Sequence, residues 1–86
     1  MPEEPLRVVE ERESWLLIAR GDRFAVVERR GGRIYGLETA HRRGEADTPA
    51  GMAAAVGADG WRSETEARAT FAGLVARGRE LARRML

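Results

Sequence analysis

Residues 15–37 read WLLIARGDRFAVVERRGGRIYGL and decide the fold, because two turn signals divide them into three β-rich runs. Gly21-Asp22 and Gly31-Gly32 are typical of two-residue β-hairpin turns. Such turns fix the strand register, so Glu28 is predicted to lie opposite Tyr35. The stretch therefore predicts an antiparallel meander.

The predicted register gives this meander two faces, and both are apolar. The larger and more aromatic face is predicted to form the core, and it carries Trp15, Leu17, Ala19, Phe24, Val26, Tyr35 and Leu37. The second face carries Leu16, Ile18, Ala25, Val27 and Ile34. A meander usually has one face in water, so the second face needs a cover or a partner.

The flanking segments predict further elements. Residues 6–12 alternate weakly and indicate a short first strand, preceded by a flexible segment at residues 1–5. Residues 38–60 form an irregular connection, in which a threonine N-cap followed by proline predicts a short helix over residues 49–56. Ser63 opens a capping box, after which apolar residues recur at helical spacing almost to the end of the chain.

The length of 86 residues fits a single small domain spanning residues 1–86. Its predicted class is α+β. We expect a three- or four-stranded antiparallel β-meander followed by a short helix and a long C-terminal helix packed on one sheet face.

The charges are segregated along the chain although the net charge is only +1. Residues 1–13 sum to −3, residues 14–43 to +4, residues 44–66 to −4 and residues 67–86 to +4. All 15 basic residues are arginines, a bias that a GC-rich genome would also produce. We call residues 14–43 and 67–86 the two basic blocks. The sequence leaves open whether they lie close together in the folded chain.

The residue inventory argues against an enzyme. The absence of cysteine excludes a thiolate nucleophile and a cysteine-based metal site. His41 is the only histidine, and Ser63 is already explained as a helix cap. The glycines form none of the phosphate-loop motifs. We therefore expect no catalytic residues, no metal and no cofactor.

The first functional hypothesis is a small non-enzymatic interaction module that associates with a protein partner or with a second copy. Exposed contiguous apolar patches mark such interfaces. The predicted interface is the second sheet face, with Leu16, Ile18, Ala25, Val27 and Ile34. The alternative is that residues 38–60 fold over this face.

The second functional hypothesis is nucleic-acid binding by arginine-tipped hairpins, because the guanidinium fork suits phosphate groups. The predicted contacts are Arg20, Arg23, Arg29, Arg30, Arg33, Arg42 and Arg43.

No apolar run is long enough for a membrane helix. Trp15–Ala19 and Met52–Val56 have five residues each, against the roughly 20 that a span requires. The prediction is a cytoplasmic protein with no membrane partner.

The stretch from Val27 to Gly36 resembles part of the WGR domain, named for its Trp-Gly-Arg motif, and Trp61 to Leu74 resembles the start of that domain's helix. The resemblance implies an association with nucleic-acid-binding proteins. Gly31 stands where the defining tryptophan would be, and residues 38–60 form a long insertion. We carry no functional residue over from this family.

Overall fold

A computed structural model describes residues 5–37 and 43–84 of the chain. Five strands form one antiparallel sheet in sequence order, and two helices follow the sheet. The elements are β1 (Arg7–Arg12), β2 (Trp15–Arg20), β3 (Arg23–Arg30), β4 (Arg33–Tyr35), β5 (Glu45–Ala46), α1 (Pro49–Val56) and α2 (Glu64–Arg84). The α+β prediction is confirmed, and β5 extends the predicted meander to a fifth strand. The predicted flexible segment, except Pro5, lies outside the described residues.

Both hairpin turns have the geometry that their glycines allow. Gly21 has a φ of 60°, and Gly31 and Gly32 have φ values of 61° and 76°. Positive φ at these central positions matches the right-handed twist of the strands that they join. The register is the predicted one, with Glu28 paired to Tyr35.

Strand β1 contains a β-bulge between Val8 and Glu10. Val9 packs against the hydrophobic cluster on the α2 side, and Glu10 lies within 3.9 Å of Arg68 on α2. A bulge and charged side chains both hinder pairing of an edge strand with another chain. The outer edge of β1 is therefore poorly suited to extending the sheet.

Helix α2 covers the aromatic face of the sheet. Ser63 caps it, since its Oγ accepts a hydrogen bond from the backbone N–H of Glu66 at 3.2 Å. The buried residues of this core are Leu17, Ala19, Phe24, Val26, Ala67, Phe71 and Val75. The buried residues of α2 end at Val75, and the part of the helix after Val75 extends past the core.

Helix α1 covers the second face. Its N-cap is Thr48, whose Oγ1 accepts a hydrogen bond from the N–H of Gly51 at 3.0 Å. Gly36 allows close backbone packing, because a Cβ built there would overlap the carbonyl oxygen of Ala55. The predicted short helix over residues 49–56 is present with these bounds.

Candidate functional site

The side chains predicted as a protein interface lie in the interior of this chain. Leu16, Ile18, Val27 and Ile34 are 0% exposed and Ala25 is 3% exposed. They form one cluster with Met52 of α1, and Leu6, Ala55, Val56 and Trp61 pack around it. In the folded chain α1 covers this face, which is the alternative in which part of the connection between the sheet and α2 folds over it, and an interface through these residues stays a prediction. A second copy could contact this face only if α1 moved away.

The two arginine-bearing hairpin tips are far apart. Arg20 pairs with Arg23 at the turn between β2 and β3, and Arg30 pairs with Arg33 at the turn between β3 and β4. These turns lie at opposite ends of β3, so Arg23 and Arg30 are about 23 Å apart at 3.3 Å per residue. Alternation along the strand also places the two pairs on opposite faces. They cannot form one contiguous binding surface.

The remaining predicted arginines are Arg29, Arg42 and Arg43, and their surroundings differ. Arg29 forms ion pairs with Glu11 of β1 at 2.5 Å and with Asp47, just before α1, at 2.9 Å. It therefore links the first strand to the helix that covers the second face. Arg43 is exposed and precedes Gly44. Arg42 lies outside the described residues.

One flank of α2 faces β1 through ion pairs. Arg79 pairs with Glu13, in the turn between β1 and β2, at 3.2 Å. Arg68 pairs with Glu64 at 2.8 Å and lies 3.9 Å from Glu10. The second half of α2 therefore lies at the end of the sheet that carries the turn between β1 and β2. In an antiparallel meander, the turn between β3 and β4 is at this same end.

The opposite flank of α2 faces the β4 side. Thr70 and Leu37, which follows β4, line the same cavity of about 90 Å³. Arg77 and Arg84 follow Thr70 at seven-residue intervals, so they share its flank at 3.6 residues per turn. Arginines from both basic blocks thus lie at one end and on one side of the sheet. We call this set the basic patch, and it consists of Arg30, Arg33, Arg77 and Arg84.

Two arginines of the basic patch are partly neutralised. The Arg30 guanidinium lies 3.5 Å from a Glu28 carboxylate oxygen and 5.4 Å from the centre of the Tyr35 ring. Arg84 forms an ion pair with Glu80 at 2.8 Å. Because both pairs involve exposed arginines, their energies are small and a phosphate could displace the carboxylates.

The other two arginines carry the uncompensated charge of the patch. Arg33 donates a hydrogen bond from Nη1 to the carbonyl oxygen of Gly44 at 3.0 Å, which orients its guanidinium without neutralising it. Within the described ranges, neither Arg33 nor Arg77 has a carboxylate partner. Leu81, on the same flank of α2, is 54% exposed and adds an apolar contact surface beside the patch.

Sequence reasoning missed the helix half of the basic patch. The sequence does contain a relevant pattern, since Thr70, Arg77 and Arg84 are spaced seven residues apart. That spacing shows that these residues share a flank of the helix. It does not show which flank faces the sheet end that carries Arg30 and Arg33, because this depends on how α2 lies across the strands.

The described residues contain no cluster of three or more histidine, cysteine or acidic side chains that could hold a metal ion. None of the helices in residues 5–37 and 43–84 is long and apolar enough to cross a membrane. Comparison with protein-family models, with curated proteins and with solved structures finds no match for the chain.

Proposed function

We propose that this chain is a small non-enzymatic binding module that holds nucleic acid with its basic patch. The observation that carries the proposal is that the β3–β4 turn, with Arg30 and Arg33, and the second half of α2, with Arg77 and Arg84, lie at the same end of the sheet. Guanidinium groups bind phosphate oxygens in a bidentate way, and such contacts fix a protein on a nucleic-acid backbone.

The local charge supports this proposal more than the total charge does. The net charge of the chain is only +1. Around the patch, the four arginines face two acidic side chains, Glu28 and Glu80. The Glu28 side chain is only 12% exposed and that of Glu80 is 61% exposed, so a ligand would meet four arginines and one accessible carboxylate. A cytoplasmic location belongs to the same proposal, since nucleic acid is accessible there.

Self-association of two copies has less structural support than nucleic-acid binding by the basic patch. The predicted apolar interface is covered by α1, and β1 has a bulge and charged residues at its edge. The other edge strand, β5, has only two residues. Association of two copies through the second sheet face therefore requires displacement of α1.

The proposal is tested by titrating labelled duplex DNA with the chain between about 50 and 200 mM salt. The double variant Arg33→Gln/Arg77→Gln should weaken binding and make the slope of log K against log salt shallower by about two. Its matched control is Arg7→Gln/Arg68→Gln, which also removes two positive charges but lies outside the patch. The control variant should keep most of the slope of log K against log salt that the unmodified chain shows.

Two results would overturn the proposal. One is the absence of duplex binding at low salt, because phosphate contacts are strongest there. The other is that poly-glutamate displaces the duplex as well as an equal charge of unlabelled duplex does. That result would assign the basic patch to an acidic protein partner.

A further inference from the structure

A surface groove lies between the end of the sheet and the second half of α2. The turn between β1 and β2 and the start of β2 line it with Glu13 and Trp15, and α2 lines it with Gly78, Arg79, Ala82 and Arg83. Its volume is about 450 Å³, within the range of small-molecule sites. We call it the Trp15 groove.

An aromatic ring forms the sheet side of the Trp15 groove. Trp15 is half-buried, packing against the core while part of its side chain lines the groove. It pairs with Glu28, which pairs with Tyr35, so the three residues form one row across the sheet. At about 4.8 Å per strand, the Cα atoms of Trp15 and Tyr35 are about 10 Å apart. The groove therefore lies at the end of the sheet that carries Arg30 and Arg33.

Small residues of α2 form the helix side of the groove. Gly78 and Ala82 are one helical turn apart, and both line it. A Cβ built at Gly78 would meet no atom within 4 Å, so the packing of this chain does not require glycine there. The missing side chain instead keeps space open between the helix and the indole. A planar ring fits such a space.

Arginines stand at the rim of the groove. Within the described ranges, Arg83 has no carboxylate partner. Arg79 forms an ion pair with Glu13 at 3.2 Å, and because both side chains are exposed, a phosphate can compete for this guanidinium. The rim thus carries two guanidinium groups and one carboxylate, a charge that complements an anion.

We propose that the Trp15 groove takes an unpaired nucleobase, stacked on the indole, with the neighbouring phosphate on Arg83. This inference rests on the proposed function and extends it from phosphate contacts to a base. Proteins that bind unpaired strands combine aromatic rings with cationic grooves in this way. An apolar side chain of a protein partner would leave the rim arginines without an anion. A base inside a duplex is already stacked, so a duplex contacts the basic patch alone.

The experiment compares two labelled strands of about ten nucleotides, oligo(dT) and a strand of abasic sites, by fluorescence anisotropy. The strands carry equal numbers of phosphates, so only the bases differ. Oligo(dT) should bind about 5- to 100-fold more tightly, the gain expected from stacking one base. In the Trp61→Phe chain, where Trp15 is the one remaining tryptophan, oligo(dT) should also quench tryptophan fluorescence and the abasic strand should not.

Gly78→Leu should lower the affinity for oligo(dT) to that for the abasic strand, because the leucine side chain fills the groove. Gly73→Leu is the matched control, since Gly73 also lies in α2 with open space around an added Cβ but does not line the groove. Both variants replace glycine by a stronger helix former and keep the net charge, so the fold and the basic patch should persist. Circular dichroism checks the fold of both.

The outcomes separate this inference from the proposed function. Equal affinity for the two strands would overturn the base site and leave the proposed function standing. Equal effects of Gly78→Leu and Gly73→Leu would overturn it as well, since the base would then stack elsewhere. If neither strand binds while the duplex does, the groove takes no unpaired base. If the duplex also fails to bind at low salt, the proposed function fails too.

Discussion

Gly51 shows how a single residue specifies the cover of the second sheet face. It lies inside α1, where alanine normally stabilises a helix by roughly 1 kcal/mol relative to glycine. In this chain a Cβ at Gly51 would overlap the carbonyl oxygen of Ala46, which is backbone and cannot rotate away. The close approach of β5 to α1 therefore depends on the missing side chain.

We expect Gly51→Ala to destabilise the chain by about 1–3 kcal/mol, the usual range for overpacking. Gly73→Ala is the matched control, because Gly73 lies in α2 with no atom within 4 Å of an added Cβ. It should stabilise the chain by roughly 0.5–1 kcal/mol. Urea denaturation monitored by circular dichroism measures both changes. A Gly51→Ala chain that is as stable as the unmodified chain, or more stable, would contradict the close packing of β5 against α1.

Helix α1 is the element that turns an apolar sheet face into a core. Met52 is 5% exposed and packs onto that face, whereas Ala54 of the same helix is exposed. The sequence could predict this helix from Thr48 and Pro49. It left open whether the helix would cover the second sheet face or leave that face free for a partner, because this depends on how elements distant in sequence pack together.

We expect Met52→Asp to loosen α1 and expose the sheet face. Loss of the methionine packing alone costs roughly 2–5 kcal/mol, and a buried carboxylate adds to this cost. The exposed face should then bind a hydrophobic dye and drive self-association, which light scattering after size exclusion detects.

Ala54→Asp, on the exposed side of α1, is the control and should remain like the unmodified chain. If Met52→Asp unfolds completely, Met52→Ala supplies the milder test, since it removes most of the same contact without adding charge. Unchanged dye binding and mass for a folded Met52 variant would show that α1 does not act as the cover.

At the scale of the whole molecule, the meander separates arginines that are close in sequence and joins others that are distant. Arg20 and Arg23 lie at one end of the sheet, and Arg30 and Arg33 lie at the other. Only the second pair shares its end and side with the arginines of α2. The hairpin arginines predicted from sequence therefore divide into one pair within the basic patch and one pair remote from it.

We expect Arg30→Gln/Arg33→Gln to weaken duplex binding and to reduce the salt slope by about two. Arg20→Gln/Arg23→Gln removes the same charge at the remote end and should change the slope by less than about one. Titrations at several salt concentrations compare the two variants directly. Equal losses would contradict a localised patch and favour a response to net charge alone.

Although β5 and the bulge in β1 were not predicted, the sequence by itself determined the strands β1 to β4, the two hairpin turns with their register, and the helix caps of this protein. These depend on contacts within a few residues, such as Gly31-Gly32 at a turn or Ser63 beside Glu66. Only the tertiary structure decided which face α1 covers and where the arginines of α2 lie. Both depend on how elements distant in sequence pack to bury apolar surface, and hydrophobic burial is non-directional, so a local pattern does not specify its partner.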